Sequence, residues 1–581
     1  MFTQKLTSSG VLAAFAALAA CGPPTTPPPP VPTPQPVQQS YEQPETRELV
    51  SLVADAGRLI QTDGRAAFAA LRTPESRWRH GDRYVFVLAI DGTMVVHPDP
   101  MMEGKNELDL KDINGRPIIS GLLHAAIAAP GKRDGWYHYE WPVPGEILPR
   151  WKSSYVQLVT APSGEQFVVG SGMYNDRMER AFVVDMVDNA VAELQNRGEA
   201  AFTQFRDPAG PYIAKDAYVF VIDPRGIELV NPAFANLEGR DVLDVKDTQG
   251  KHLVRAMLQV ARSRGAGWVD YMWPKPGESV STQKSTYVRT AKVRDTWYVV
   301  GSGVYLADAP KTPPDPTKLT APRLVDLVHE AAAVLAQRGE DALPEFRERG
   351  TKWFRDDTYF FIWDLSGKRL FHAADRSLEG KDASNVTDAQ GRPYGKMFLD
   401  VATSPAGEGW VHYMFPEPGN IFPAWKSSFV ERVKFPSGTE YLVGAGVYNM
   451  QMDRAFIEDV VNRAAAVIAE RGAVALPEIR DRHGPFVFMN TYVFVDRSDG
   501  TELVNPAQPS LEGRNIMDLT DVNGKRVARD YIDAAMTNGT AWVAYDWYKP
   551  GENTPSHKQT FVRKVVVGPD TYIVGSGLYV E

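Results

Sequence analysis

The chain has 581 residues, of which 43 % are hydrophobic and 10 % aromatic, with a formal net charge of −9. That balance feeds several packed cores, offers no basic footprint for nucleic acid, and predicts several domains of ~100–200 residues each. Cys21 is the sole cysteine, so no disulfide within the chain can form and hydrophobic packing must hold the folded part together.

In chain order, Lys5 gives a weakly positive start and Val11 to Ala20 an apolar run about half a bilayer span long. Leu18-Ala19-Ala20-Cys21 follows, the pattern of a lipobox: a branched apolar residue, two small ones and a cysteine whose thiol takes a lipid. The reading is a lipoprotein signal peptide over 1–20 and a diacylglycerol, with palmitate-type acyl chains, on Cys21. Gly22 does not carry the inner-membrane retention signal of the lipoproteins this resembles. The expected location is the bacterial cell envelope, lipid-anchored, on the periplasmic face or at the outer membrane. Residues 21–44 are Pro-rich and favour extended polyproline II. At ~3.1 Å per residue they form a tether on the order of 60 Å long. No later segment approaches the ~20 consecutive apolar residues of a membrane-spanning helix.

Beyond the tether the chain repeats itself. Tyr84-Val-Phe-Val, Tyr218-Val-Phe-Val, Tyr359-Phe-Phe-Ile and Tyr492-Val-Phe-Val each open a sheet, and each is preceded at twenty residues by Gly64, Gly198, Gly339 or Gly472. Thirteen residues after each tyrosine stands His97, Asn231, His372 or Asn505. An acidic-glycine pair follows, as in Glu103-Gly104, and each copy closes on a Gly-Ser/Ala-Gly triplet and a tyrosine: Tyr174, Tyr305, Tyr448 and Tyr579. Copies one and three share Trp-Lys-Ser-Ser (Trp151 to Ser154, Trp425 to Ser428), and copies two and four share Leu-Val-Asn-Pro (Leu229 to Pro232, Leu503 to Pro506). A two-module unit has been duplicated. The modules span 45–175, 176–306, 320–448 and 449–581. A Pro-rich hinge at 307–319 joins two rigid pairs.

Each copy reads as a long amphipathic helix, a glycine-terminated break and a short second helix, then strands. In copy two Phe182, Val183, Met186, Val187, Ala190, Val191 and Leu194 form one apolar stripe, ended by Gly198. Asp91-Gly92 turns a hairpin, Asn114-Gly115 marks a second turn before a helical stretch, and three strands close the copy around a Pro144-Gly145 turn. The predicted class is α+β: a long N-terminal helix on an antiparallel sheet of five or so strands, PAS-like in outline.

The ordered pattern Tyr-Val-Phe, Asp-Gly, His-Pro, Glu-Gly-Lys, Asn-Gly, Gly-Trp, Tyr-x-Trp-Pro, Pro-Gly, Lys-x-x-Tyr-Val and Val-Gly-Ser-Gly-x-Tyr resembles the single Cache domain of the second type. The likeness runs over about 45–306 and 320–581, in four tandem copies. It implies an extracytoplasmic sensor module that binds small organic acids such as acetate, propionate or pyruvate in a pocket on the sheet. Family receptors add transmembrane helices and a cytoplasmic output domain, which this sequence does not show. A partner protein of the envelope is therefore expected to receive the signal.

A small carboxylate needs a cation or several donors in a dry pocket. The resemblance places Lys152, Lys284, Lys426 and Lys558 at the family's lysine position, and His97 and His372 at its histidine position. Strand periodicity puts Tyr139 with Trp141, Tyr271 with Trp273, Tyr413 with Phe415, and Tyr545 with Trp547 on one face. Tyr155 and Tyr287 follow their lysines by three, so they join the pocket only through a bulge. Histidine as imidazolium can pair with an anion where asparagine only hydrogen-bonds. Copies one and three are thus expected to bind, and more tightly below pH 6.5, while copies two and four serve as spacers.

Catalytic motifs are lacking: no cysteine nucleophile, no Gly-x-Ser-x-Gly, no His-Glu-x-x-His and no P-loop. The Gly-Ser-Gly triplets sit in a closing strand and signal close backbone packing. No cofactor or metal is implied, and His97 with His138 lacks a recurring third ligand. The competing reading is a structural or adhesive protein whose modules are rigid spacers and interaction surfaces.

Overall fold

The computed structural model describes residues 41–580 except 128–130, 144–147, 175–176, 279, 308–317, 418–422, 551 and 553. Cys21, the tether, most of the hinge, the Pro144-Gly145 turn and the boundary of the first two modules at 175–176 lie outside the described residues. In the first module α1 spans Pro44–Asp63, with Leu49, Val53, Ala56 and Ile60 turned inward, and stops at Gly64, whose φ of 59° suits glycine. A short α2 (Ala67–Leu71) leads to β1 (Arg79–His80), β2 (Arg83–Ala89) and β3 (Met94–Val96). Then come α3 (Ile119–Ile127), β4 (Asp134–Pro142), β5 (Pro149–Thr160) and β6 (Gln166–Tyr174). The antiparallel sheet has the order β1-β2-β6-β5-β4, with β3 paired to β2.

Both faces of this sheet are buried, and strand alternation divides them. Val85, Val87, Trp136, Tyr155 and Val169 meet α1, while Tyr84, Phe86, Tyr137, Tyr139 and Val156 meet α3. The same elements recur behind long helices at Arg180–Arg197 (hereafter α4), Ala321–Arg338 and Arg454–Arg471. Each main sheet is antiparallel, so the α+β class expected from the pattern is the observed one.

The single stripe expected on α4 is too narrow. Val184, Asp185 and Asn189 are buried as well, because the helix lies between its own sheet and β4 of the module before it. Phe182 packs 4.4 Å from the Trp136 ring, and Asp185 accepts from the Trp136 N–H at 3.0 Å and from Lys132 Nζ at 2.6 Å. One hydrophobic core therefore runs through both modules. Arg116 adds a bond to the Pro208 carbonyl at 3.0 Å, and Arg392 repeats the clamp in the second pair on Gly484, at 2.9 Å. The pairs also touch: Trp425 Nε1 donates to the Gly277 carbonyl at 3.0 Å, and Arg482 to Asn114 at 2.8 Å. Among the described residues no helix is long and apolar enough to cross a membrane.

Candidate functional site: four buried lysines

Each pocket is built on three strands. In module 1 Lys152 sits mid-β5, opposite Tyr139 on β4 and Tyr174 on β6, so three side chains share the α3 face. Lys284 is flanked in the same way by Tyr271 and Tyr305, Lys426 by Tyr413 and Tyr448, and Lys558 by Tyr545 and Tyr579. All four lysines are at most 1 % exposed, a burial that lysine almost never accepts without a partner.

What surrounds each ammonium is aromatic. Lys152 Nζ lies 3.9 Å from the Tyr84 ring centroid and 5.1 Å from that of Tyr174, and among the described residues it makes no hydrogen bond. Lys426 Nζ lies 3.7 and 4.7 Å from Tyr359 and Tyr448. Lys284 donates to the Tyr218 hydroxyl at 3.0 Å, and Lys558 to that of Tyr492 at 3.2 Å. Ring faces attract a cation but replace little of its hydration. Burial accordingly pulls each of the four lysines down to about 7. Among the described residues none of them has a carboxylate within ion-pair distance.

The Gly-Ser-Gly triplets make room for this arrangement, as their place in a closing strand predicts. A Cβ on Gly170 would strike the Phe86 ring, and one on Gly172 would overlap Lys152 Cε and Ser154 Oγ. In the other copies a Cβ at Gly303, Gly446 or Gly577 would come within 2.7–2.8 Å of the lysine Cε. Gly172→Ala is expected to push Lys152 out of its cage at a cost of about 1–3 kcal/mol, the usual penalty of overpacking. Urea denaturation of the protein measures it, and an unchanged midpoint would show that the cage is loose.

Several predicted site residues converge here. Tyr139 packs beside Lys152 with its hydroxyl 3.0 Å from Ser154 Oγ, and Tyr271, Tyr413 and Tyr545 repeat this on Thr286, Ser428 and Thr560. The His97 ring stands 5.2 Å from Tyr84 and 6.1 Å from Trp141. Trp273 and Trp547 edge against Tyr271 and Tyr545. Tyr155 and Tyr287 do not belong. β5 is regular, without the bulge that would turn Tyr155 round, and both tyrosines pack under the long helices. His138 also points away from His97, bonding Ser153 Oγ at 2.8 Å and facing Phe182.

His97 corrects a second expectation. Its Nδ1 accepts from the Asp99 N–H at 3.1 Å, as that of His372 does from Asp375 at 3.0 Å, which leaves Nε2–H as the donor of a neutral ring. Burial and the nearby lysine lower His97 to about 4, and His372 to about 3. Neither is an imidazolium in the empty pocket at pH 6.5, so each offers a neutral N–H there rather than a charge.

The sequence reading missed Tyr84, Tyr174 and their counterparts as walls, although their fourfold recurrence was the signal. It also passed over one position on the strand after the first hairpin, held by Met94, Glu228, Arg369 and Glu502, all buried on the pocket face. Modules 2 and 4 keep the lysine cage, and their cavities of about 20 and 30 Å³, next to Tyr271 and Lys558 respectively, are lined by Glu228 and Glu502. That is water-sized. They differ from modules 1 and 3 in the residue at this one position, where burial raises Glu228 to about 8 and pushes Glu502 well above the usual carboxylate range, and not in the loss of the lysine cage. Of two larger clefts, one of about 400 Å³ lies between modules 1 and 4, where Trp151 and Trp547 line it, and one of about 420 Å³ lies in module 3 beside Lys318 and Asp357; none of the four lysines lines either.

The chain is 34 % identical over 94 residues to Methyl-accepting chemotaxis protein McpP of Pseudomonas putida, covering 16 % of this chain and 17 % of that protein. It is 35 % identical over 95 residues to Sensor histidine kinase MctS of Rhizobium johnstonii, covering 16 % and 20 %. The chain thus spans about a fifth of the length of these relatives. Among solved structures, the one described as "Structural basis for carboxylic acid recognition by a Cache chemosensory domain" is 29 % identical, covering 22 % of this chain and 91 % of that one at a TM-score of 0.19. A periplasmic sensor domain of a chemotaxis protein is 31 % identical over 21 % and 86 %, at 0.18. The model of the Cache domain matches residues 67–309 and again 211–453, and that of single Cache domain 2 matches 466–581. With well over half of its length matched, the chain belongs to the Cache domain family.

Proposed function

We propose that the protein is a lipid-anchored extracytoplasmic sensor that binds small organic carboxylates in its lysine cages and passes occupancy to a partner protein of the envelope. The observation that carries this reading is the set of four buried ammonium groups, at one register position in four sheets, none of them ion-paired among the described residues. A carboxylate in the cage supplies the missing charge and accepts from the lysine, from Nε2–H of His97 and from the tyrosine hydroxyl. Acetate, propionate and pyruvate are the first ligands to test, by calorimetry on the mature chain. A well-folded chain that binds none of them would leave the spacer reading in its place.

The four-module reading adds where the anchor is. Tandem single Cache modules on a tether need only one attachment point, and Cys21 provides it. Cys21→Ala is expected to move the protein from the membrane pellet to the soluble fraction. Retention of the variant in the pellet would refute the anchor.

A further inference from the structure

The position held by Met94, Glu228, Arg369 and Glu502 is the same in all four sheets: each pairs with the residue near the end of the first long strand, at Leu88, Ile222, Trp363 and Asp496 respectively. In modules 2 and 4 the glutamates line the cavity and accept from Asn231 and Asn505, at 3.0 and 2.6 Å. There a buried acid faces the lysine. In module 1 the position is apolar. Module 3 alone places a second cation there.

Arg369 is 6 % exposed. Its Nη2 donates to the Tyr394 hydroxyl at 3.2 Å, and its guanidinium lies 5.2 Å from the Trp363 ring centroid. Tyr394 in turn stacks on Tyr413 at 4.9 Å, and Tyr413 is the cross-strand neighbour of Lys426. Tyr394 also stands where Val527 lines the module 4 cavity. Arg369 and His372 share one short strand, and the His372 ring lies 5.0 Å from Tyr359, over whose ring Lys426 Nζ sits at 3.7 Å. The exposed Asp382 feels the charge of Arg369, but among the described residues no carboxylate pairs with it. Two buried cations with no ion-paired carboxylate among the described residues are far costlier than one.

We propose that module 3 binds a dicarboxylate, one carboxylate on Lys426 and the other on Arg369. This rests on the carboxylate reading above and sharpens it for one module. The planar fork of Arg369, held by Tyr394 and Trp363, suits two-point contact with a carboxylate, whereas Lys426 offers a point charge. Module 1, with methionine in place of the arginine, has one charge to offer and prefers monocarboxylates.

Calorimetry of the mature chain with malonate, succinate and acetate tests this. One dicarboxylate equivalent per chain is expected. Arg369→Met, which copies module 1, is expected to weaken dicarboxylate binding at least tenfold and leave acetate binding elsewhere intact. Arg369→Lys, which keeps the charge and loses the fork, should recover only part of the affinity. Thermal melting reports whether each variant is folded. Acetate binding without any dicarboxylate binding, or dicarboxylate binding untouched by Arg369→Met, would overturn the proposal and spare the carboxylate reading. Failure of acetate and dicarboxylates alike would overturn both.

Discussion

Replacing Lys152 by methionine is expected to raise the melting temperature of the ligand-free protein and to weaken carboxylate binding to module 1 by ten- to a hundredfold. The two effects share one cause. Lys152 Nζ is buried among ring faces with no hydrogen bond, so the empty pocket carries a desolvated cation that an apolar side chain of similar length would not. The same cation makes a charge-assisted hydrogen bond to a bound carboxylate, worth about 1.5–3 kcal/mol, and 1.4 kcal/mol is tenfold in affinity. Differential scanning calorimetry gives the first effect and isothermal titration the second. A variant that is less stable when empty, or that binds as before, would mean the lysine is a structural cation and not a receptor for the ligand. Lys152→Arg restores little, because a planar fork does not fit a cage shaped for a point charge.

The second large effect is on pH. A bound carboxylate holds the proton on the lysine, while the empty cage releases it near pH 7. Below pH 7 the lysine is already charged and affinity is flat. Above pH 7 each site must take up about one proton as it binds, and affinity falls up to tenfold per pH unit. Stability of the empty protein runs the other way. The folded lysines titrate near 7 against an ordinary 10.5. Between those values the unfolded lysines hold more protons than the folded ones, so the contribution of these four groups to stability climbs as pH rises through that window and is flat below it. Titrations at pH 8 in two buffers of different ionisation enthalpy measure the uptake directly. Affinity that stays constant from pH 6 to pH 9 would contradict the depressed lysines.

Much of this was legible in the sequence because repetition separates constraint from noise. Lys152 and its three counterparts, the Tyr139 strand and the glycine triplets stand at fixed spacings in every copy, and each spacing is a register contact in the sheet. Tyr155 was misplaced although period-two alternation already assigned it to the opposite face; the family motif that joins it to the lysine reflects packing on both sides of one strand. The charge of His97 was not legible, since it depends on burial and on a lysine 55 residues away. The Met94/Glu228/Arg369/Glu502 position escaped for the converse reason. It varies between copies, so it carries no repeat signal, and only its pairing with the neighbouring strand shows that all four side chains enter the pocket. The two-sided burial of α4 was hidden too, because a helix pressed between two sheets shows in its sequence only as extra apolar and bonded polar residues.

That helix has a mechanical consequence. Along β4, Tyr137 and Tyr139 face the lysine pocket, while Trp136 and His138, on the reverse of the same ribbon, lie against Phe182 of α4. The partition between one module's lysine pocket and the next module's long helix is a single strand thick. His138 and Ser153 tie that partition to β5, and Asp185 tethers it to the helix through the Trp136 N–H. No layer stands between β4 and α4 to absorb a displacement of the strand. The Trp410, His412 and Phe456 rings repeat the same joint in the second pair.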